Sequence, residues 1–251
     1  ATSTLEAGLD VKSMAETSTK VFILEVMGRH AGWIAAASCL AATKAGDPPH
    51  IILLPEVPFE KTKFITQVKQ TVKEQGYCVI VASEGTQTKN GKFLADSGLT
   101  DAFGHKQLGG VAPVLAGMIS KIGLKNHWAV ADYLQRSARH IASKTDLDQA
   151  YAVGKHAVKL AIAGKTALMP IIKRTSDSPY KWKIATAPLK NVANIEKTMP
   201  KKFISKNGFE ITQAGKTYLS PLIKGEAPIK YVNGLPDIAE LKKIKVKKRL
   251  S

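Results

Sequence analysis

Three apolar runs, "KVFILEV", "HIILLPE" and "YCVIVASEG", recur between segments of helical periodicity, and this alternation restricts the fold more than any other feature of the chain. Continuous β-branched runs are the mark of strands buried on both faces, and helices between them supply the crossovers that parallel strands require. The expected order is a helix over Ser3 to Thr17, a strand over Val21 to Val26 and a helix over Ala31 to Thr43. A second strand follows in "HIILLPE", then a helix over Phe59 to Gln75 and a third strand in "YCVIVASEG". The fold class is therefore α/β, a parallel sheet flanked by helices. In such sheets ligands lie outside the carboxyl ends of the strands. Met27-Gly28-Arg29 closes the first strand and Ser83-Glu84-Gly85 the third, so both are expected at one crevice.

Further along, Thr86 to Gly110 is polar and Gly-bearing and reads as an exposed loop or lid. Val111 to Ile122 reads as a helix with Pro113 in its first turn, "HWAVADYLQR" as a short strand, and Asp146 to Ala163 as a helix stopped by Gly164. Composition shifts at Lys165: "IIKRTSDSPYKWKIATAPL" suggests paired strands around a turn, and the remainder is Lys-rich with scattered Pro and Gly. We expect an α/β region over 1–164 and a mixed, Lys-rich C-terminal extension over 165–251.

The formal net charge of +17 fits anionic small molecules, nucleic acid or a membrane surface, without selecting among them. Much of the excess is Lys in the last third, ending in "ELKKIKVKKRLS", the pattern of a solvated surface or a loose tail. No nucleic-acid-binding module or basic, aromatic-rich platform is present, and no apolar run approaches a membrane-spanning length. The start lacks the order of a secretory signal, so a cytoplasmic location is expected, with neither nucleic acid nor membrane as partner. Cys39 and Cys78 lie in apolar runs without metal-ligand spacing and read as buried thiols.

Candidate site residues follow from the strand ends. Gly28 lets backbone approach a ligand closely, the next helix start offers amides to an anion, and Arg29 reads either as a fork of donors matched to phosphate oxygens or as an ordinary surface Arg. Glu84 reads either as a carboxylate exposed in the same crevice or as a loop cap. Tyr133 and Arg136 could bring a phenol and a guanidinium to one sugar phosphate, or form an amphipathic surface turn. His30, His105 and His127 read as hydrogen-bonding residues, His127 also as a phosphate candidate. No metal-ligand cluster and no Gly-x-Ser-x-Gly elbow occurs.

Taken in order, "FILEVMGRHAGWIA", "IILLPE", "VIVASEG", "FGHKQLGGVAPVLAGMI" and "YLQR" resemble the phosphofructokinase family in its substrate-binding half, over about residues 1 to 190, and most of all its pyrophosphate-dependent bacterial branch. The resemblance implies transfer of a phosphoryl group from pyrophosphate to fructose 6-phosphate in a homo-oligomer. It implies that Met27, Gly28 and Arg29 contact the sugar phosphate and the group in transit, with Arg29 the catalytic cation. Glu84 would hold sugar hydroxyls, and Tyr133 and Arg136 would complete the sugar site. Lys20 aligns with an Arg that reaches a neighbouring subunit's 6-phosphate, and a second such residue would fall near Lys125 or His127. The family's Gly-Gly-Asp donor loop and its Thr-x-Asp-Asn-Asp segment, which carries the base and the metal-linked carboxylates, have no counterpart here. The resemblance thus implies that the donor-binding half and the Mg2+ ligands lie outside this chain, which alone would be inactive. A non-catalytic sugar-phosphate binder or regulatory subunit, and ATP as donor, are the alternatives.

Overall fold

A computed structural model of the chain describes residues 1–100, 106–108 and 110–245. Its centre is a parallel sheet in the order β2-β3-β1-β6, built from β1 (Val21–Val26), β2 (Ile51–Leu53), β3 (Cys78–Ser83) and β6 (Asn126–Val130). β1 and β3 are in register over their whole length, Val21 opposite Cys78 and Val26 opposite Ser83, so the two strands end level. This is the α/β architecture expected from the alternating apolar runs.

Side-chain alternation divides the core between the two faces of the sheet. Val21, Ile23, Ile51, Cys78 and Ile80 pack with Phe64 and Val68 of α3 (Lys61–Gln75) and Leu115 and Ile119 of α4 (Val111–Ser120). On the opposite face Leu24, Val26, Ile52 and Val81 pack with Ala35 and Ala36 of α2 (Trp33–Ala37) and Leu219 of α7 (Gln213–Leu219). Met199, Phe203 and Ile211 join this second cluster, so part of the region beyond residue 165 shares a core with the sheet. Beside it, α1 (Thr2–Met14) sets Val11 against Tyr77 and Val79. A Cβ on Gly8 of this helix would meet Pro48 Cγ at 2.4 Å, the reason a glycine sits there.

Helix bounds follow from local chemistry. α3 stops at Gly76, whose φ of 83° lets its amide bond Val72 O, the left-handed end that glycine favours. The helix expected over Ala31 to Thr43 is shorter: α2 ends at Ala37 and the chain tightens into a 3-10 turn over Ser38–Ala41, where Ser38 Oγ bonds back to Ala35 O at 2.5 Å. The segment expected as a loop over Thr86 to Gly110 contains an antiparallel pair, β4 (Asp96–Thr100) and β5 (Lys106–Leu108). α6 (Lys144–Ile162) begins with Ser143 accepting from the Asp146 amide. The paired strands expected after residue 165 are the hairpin β7 (Leu168–Asp177) and β8 (Tyr180–Pro188). Of the Lys-rich extension, residues 246–251 lie outside the described residues. No described helix is long and apolar enough to cross a membrane.

Candidate functional site

Because β1 and β3 end level, the two segments leaving them, Met27-Gly28-Arg29 and Glu84-Gly85-Thr86, turn against each other at the carboxyl edge of the sheet. Gly28 has a φ of 143°, and a Cβ there would meet Ser83 Oγ at 2.6 Å and Ala31 O at 2.8 Å. Its amide donates to Glu84 Oε1 at 3.1 Å, and its carbonyl accepts from Ser83 Oγ at 2.5 Å and from the Gly85 amide at 3.2 Å. Gly85 has still less room: a Cβ would lie 1.8 Å from Arg29 O. Only paired glycines allow two backbones this close.

The loop is therefore held at Gly28, and Arg29 follows directly. Arg29 is half-buried, and its Nε is buried without a hydrogen-bond partner among the described residues. A buried donor left unpaired costs about 1–3 kcal/mol. Glu84, also half-buried, serves as the loop cap, which leaves Oε2 not bonded by any described residue.

The third side is contributed by the turn after β6. The Met27 amide donates to Gln135 Oε1 at 3.3 Å, and Gln135 Nε2 donates to Asp132 O at 2.9 Å. This ties the loop to α5 (Leu134–Ser137), which carries Arg136. Arg136 lies over the Tyr133 ring, its Cζ 4.5 Å from the centroid, and both side chains are exposed. The two residues thus meet each other as a cation–π pair beside the Met27 segment.

Lys20 is not brought to this edge. It precedes β1, and its Nζ donates to Ala15 O at the end of α1. Six residues of strand, about 20 Å, separate it from Met27. Lys125 lies at the same lower edge, its carbonyl accepting from the Lys20 and Val21 amides and its Nζ donating to Ser18 Oγ at 2.8 Å. His127 is exposed on β6 opposite Phe22. His30 pairs with Glu196, and His105 lies outside the described residues.

Three contributors escaped sequence reasoning: Gln135, Glu25 and Glu56. Gln135 sits between the two residues singled out in "YLQR" and does its work through an amide side chain, which no charge pattern flags. Glu25 is a buried carboxylate within β1 that accepts from the Gly110 amide at 3.0 Å and the Ala112 amide at 2.8 Å, anchoring the start of α4. Burial pushes the Glu25 carboxyl above its ordinary range, opposed by these amides. Glu56 follows the end of β2 and accepts from the Gly32 amide and the Met199 amide. Gly32 precedes α2, so one amide expected to be available to an anion is already taken. The rule that singled out Glu84, a carboxylate just past a strand end, would have found Glu56 too.

Among the described residues no group of three or more His, Cys, Asp or Glu side chains could hold a metal ion. Glu84, Glu25 and Glu56 are each engaged by backbone amides.

The arrangement is a cation and a carboxylate on opposed backbones at the carboxyl edge of a parallel sheet, suited to a phosphorylated, hydroxyl-bearing ligand. Comparison with known proteins finds relatives over the whole chain. The chain is 61% identical over 251 residues to a pyrophosphate–fructose 6-phosphate 1-phosphotransferase of Halomonas elongata, an alignment covering all of this chain and 60% of the relative. It superposes with a TM-score of 0.86 on the crystal structure of a pyrophosphate-dependent phosphofructokinase from Marinobacter aquaeolei, at 56% identity, covering 100% of this chain and 59% of the other. The corresponding enzyme from Nitrosospira multiformis gives a TM-score of 0.87 at 53% identity, covering 100% and 60%. The chain thus spans about 60% of the length of these relatives. The phosphofructokinase family model matches residues 1–161, the stretch that carries the Met-Gly-Arg loop, Glu84 and the Tyr133–Arg136 pair, and on this match the chain belongs to the phosphofructokinase family.

Proposed function

We propose that this chain supplies the sugar-phosphate site of a pyrophosphate-dependent phosphotransferase that converts fructose 6-phosphate to fructose 1,6-bisphosphate. The observation that carries the reading is Arg29, a half-buried cation on a loop locked to Glu84 at the carboxyl edge of the sheet. Phosphoryl transfer is catalysed chiefly by positioning and by stabilising charge on the phosphoryl oxygens. Arg29 would neutralise the group in transit, Met27 and Gly28 would line the ligand with backbone, and Glu84 Oε2 would accept from sugar hydroxyls. Tyr133 and Arg136 would close the sugar site from the turn after β6.

The relatives' names supply pyrophosphate as donor in preference to ATP. The base, the donor loop and the Mg2+ ligands would come from residues outside this chain, consistent with its covering 60% of the relatives. Lys20, with Lys125 and His127 at the far edge of the sheet, would serve a neighbouring copy in a homo-oligomer. A cytoplasmic location accords with a glycolytic substrate.

Calorimetric titration of fructose 6-phosphate into the protein tests the sugar site, and a Mg2+-dependent assay with pyrophosphate or ATP, run with the donor-binding half present, tests the donor. Saturable binding, with turnover from pyrophosphate and not ATP, is expected. Absence of fructose 6-phosphate binding would remove the reading. Binding without turnover from either donor would leave a non-catalytic sugar-phosphate binder.

A further inference from the structure

The segment Glu196 to Met199 has no regular secondary structure, yet it crosses the start of α2 and bonds to the Arg29 loop at successive points. Glu196 pairs with His30, the residue after Arg29. The Lys197 carbonyl accepts from Trp33 Nε1 at 2.7 Å. The Met199 amide donates to Glu56 Oε1 at 2.9 Å, and that same carboxylate accepts from the Gly32 amide at 3.0 Å and 3.2 Å. Met199 itself is buried, 3% exposed, in the core beneath α2. Space is as restricted as the bonding: a Cβ on Gly32 would stand 2.9 Å from Glu56 Oε2 and 2.6 Å from Leu54 Cδ2.

We propose that residues 196–199 are a strap that fixes the Met27–Gly32 loop, and that Glu56 is the positioning residue joining strap to loop. The inference rests on reading that loop as the sugar-phosphate site. Glu56 touches no substrate. Its carboxylate holds two amides from segments more than a hundred residues apart in sequence, so the loop and the strap open together or not at all. Removing the carboxylate frees Gly32, and with it the entry of α2 and the backbone that aims Arg29. A ligand gripped by Arg29 must then order the loop itself, and affinity falls by the population of the ordered form.

Hydrogen exchange and fructose 6-phosphate titration of the protein, on the wild type, Glu56→Ala and Glu56→Gln, test this. In Glu56→Ala we expect exchange in 27–33 and 196–199 to accelerate together, about tenfold or more, while β3 is unchanged, and affinity to fall about tenfold. Glu56→Gln retains Oε1, the atom that serves both amides, and should recover most of both losses. Glu196→Ala, a change at an exposed side chain that threatens no core, should accelerate exchange in both segments more weakly. If 196–199 loosens while 27–33 does not, the strap does not hold the loop and the proposal fails. It fails equally if exchange rises as expected and affinity stays within twofold. Should the wild type bind no fructose 6-phosphate, the functional reading falls on that result, while the exchange data still decide the strap.

Discussion

The backbone amide of Gly28 donates to Oε1 of Glu84 across 3.1 Å, joining the segments that leave two adjacent parallel strands. This bond makes Glu84 part of the loop's architecture before any ligand arrives. Removing it in Glu84→Ala should cost about 1–2 kcal/mol in urea unfolding, since an amide loses a charged acceptor. Glu84→Gln keeps a carbonyl oxygen at the same reach and should lose less than half as much. Equal losses would place the contribution in the charge and not in the bond.

Gly85 tests how closely the same two segments approach. An alanine Cβ would fall 1.8 Å from Arg29 O and 2.5 Å from Gly28 O, both rigid backbone atoms. Gly85→Ala should therefore separate the segments, at more than about 3 kcal/mol by chemical denaturation. Gly117, in α4, has nothing within 4 Å of an added methyl, and Gly117→Ala should stabilise the protein by about 0.5–1 kcal/mol. The opposite signs at two glycines separate close approach from helix propensity.

The sheet was legible because its signal is one-dimensional. Val21 to Val26 and Cys78 to Ser83 read as strands from their apolar runs, and their parallel direction follows from the helical crossovers between them. The location of Arg29 and Glu84 followed from strand ends. What the sequence could not display is contact across distance. Glu56 meets Met199 over 143 positions and Glu25 meets Ala112 over 87, and each partner is a backbone amide that carries no identity in the sequence. Tyr133 and Arg136 were legible as a pair through their spacing, whereas Gln135 between them bonds Met27 over 108 positions.

Glu25 gives the fold a titration of its own. Burial raises its carboxyl above the ordinary 4.5, more than the Ala112 and Gly110 amides lower it, and the charge of Glu84 adds to the rise. A group with a raised folded-state pKa binds protons more tightly folded than unfolded. Its stabilising contribution is full below about pH 4.5 and is lost as pH rises through the raised value. The stability difference between wild type and Glu25→Gln should accordingly be largest on the acid side of that window and shrink above it. Unfolding both proteins in urea from pH 4 to 8 measures this; a difference that is flat with pH would show that Glu25 does not titrate with folding.

Cys39 and Cys78 should be inert in the native protein. Burial pushes the Cys39 thiol up to about 11, against the opposing charge of Lys216, and burial raises Cys78 further. Both side chains are buried, 4% and 0% exposed. At pH 8 the thiolate of Cys39 is about one part in a thousand. Iodoacetamide at pH 8 should label neither residue over an hour and both in denaturant, read by intact mass. Rapid native labelling of either would mean that the sheet face covering it opens.

Arg29 is where structure and chemistry meet most directly. Its side chain is half-buried at the carboxyl edge of the sheet, where a guanidinium can make charge-assisted bonds to a ligand oxygen. Such bonds contribute about 1.5–3 kcal/mol each, and Arg29→Ala should weaken fructose 6-phosphate by about 10- to 100-fold while leaving the unfolding midpoint nearly unchanged. Arg29→Lys keeps the charge without the planar fork and should fall between. Because Gly28 holds the loop through its own backbone bonds, the alanine variant keeps the loop and loses only the cation. Unchanged affinity in Arg29→Ala would take the guanidinium out of the site.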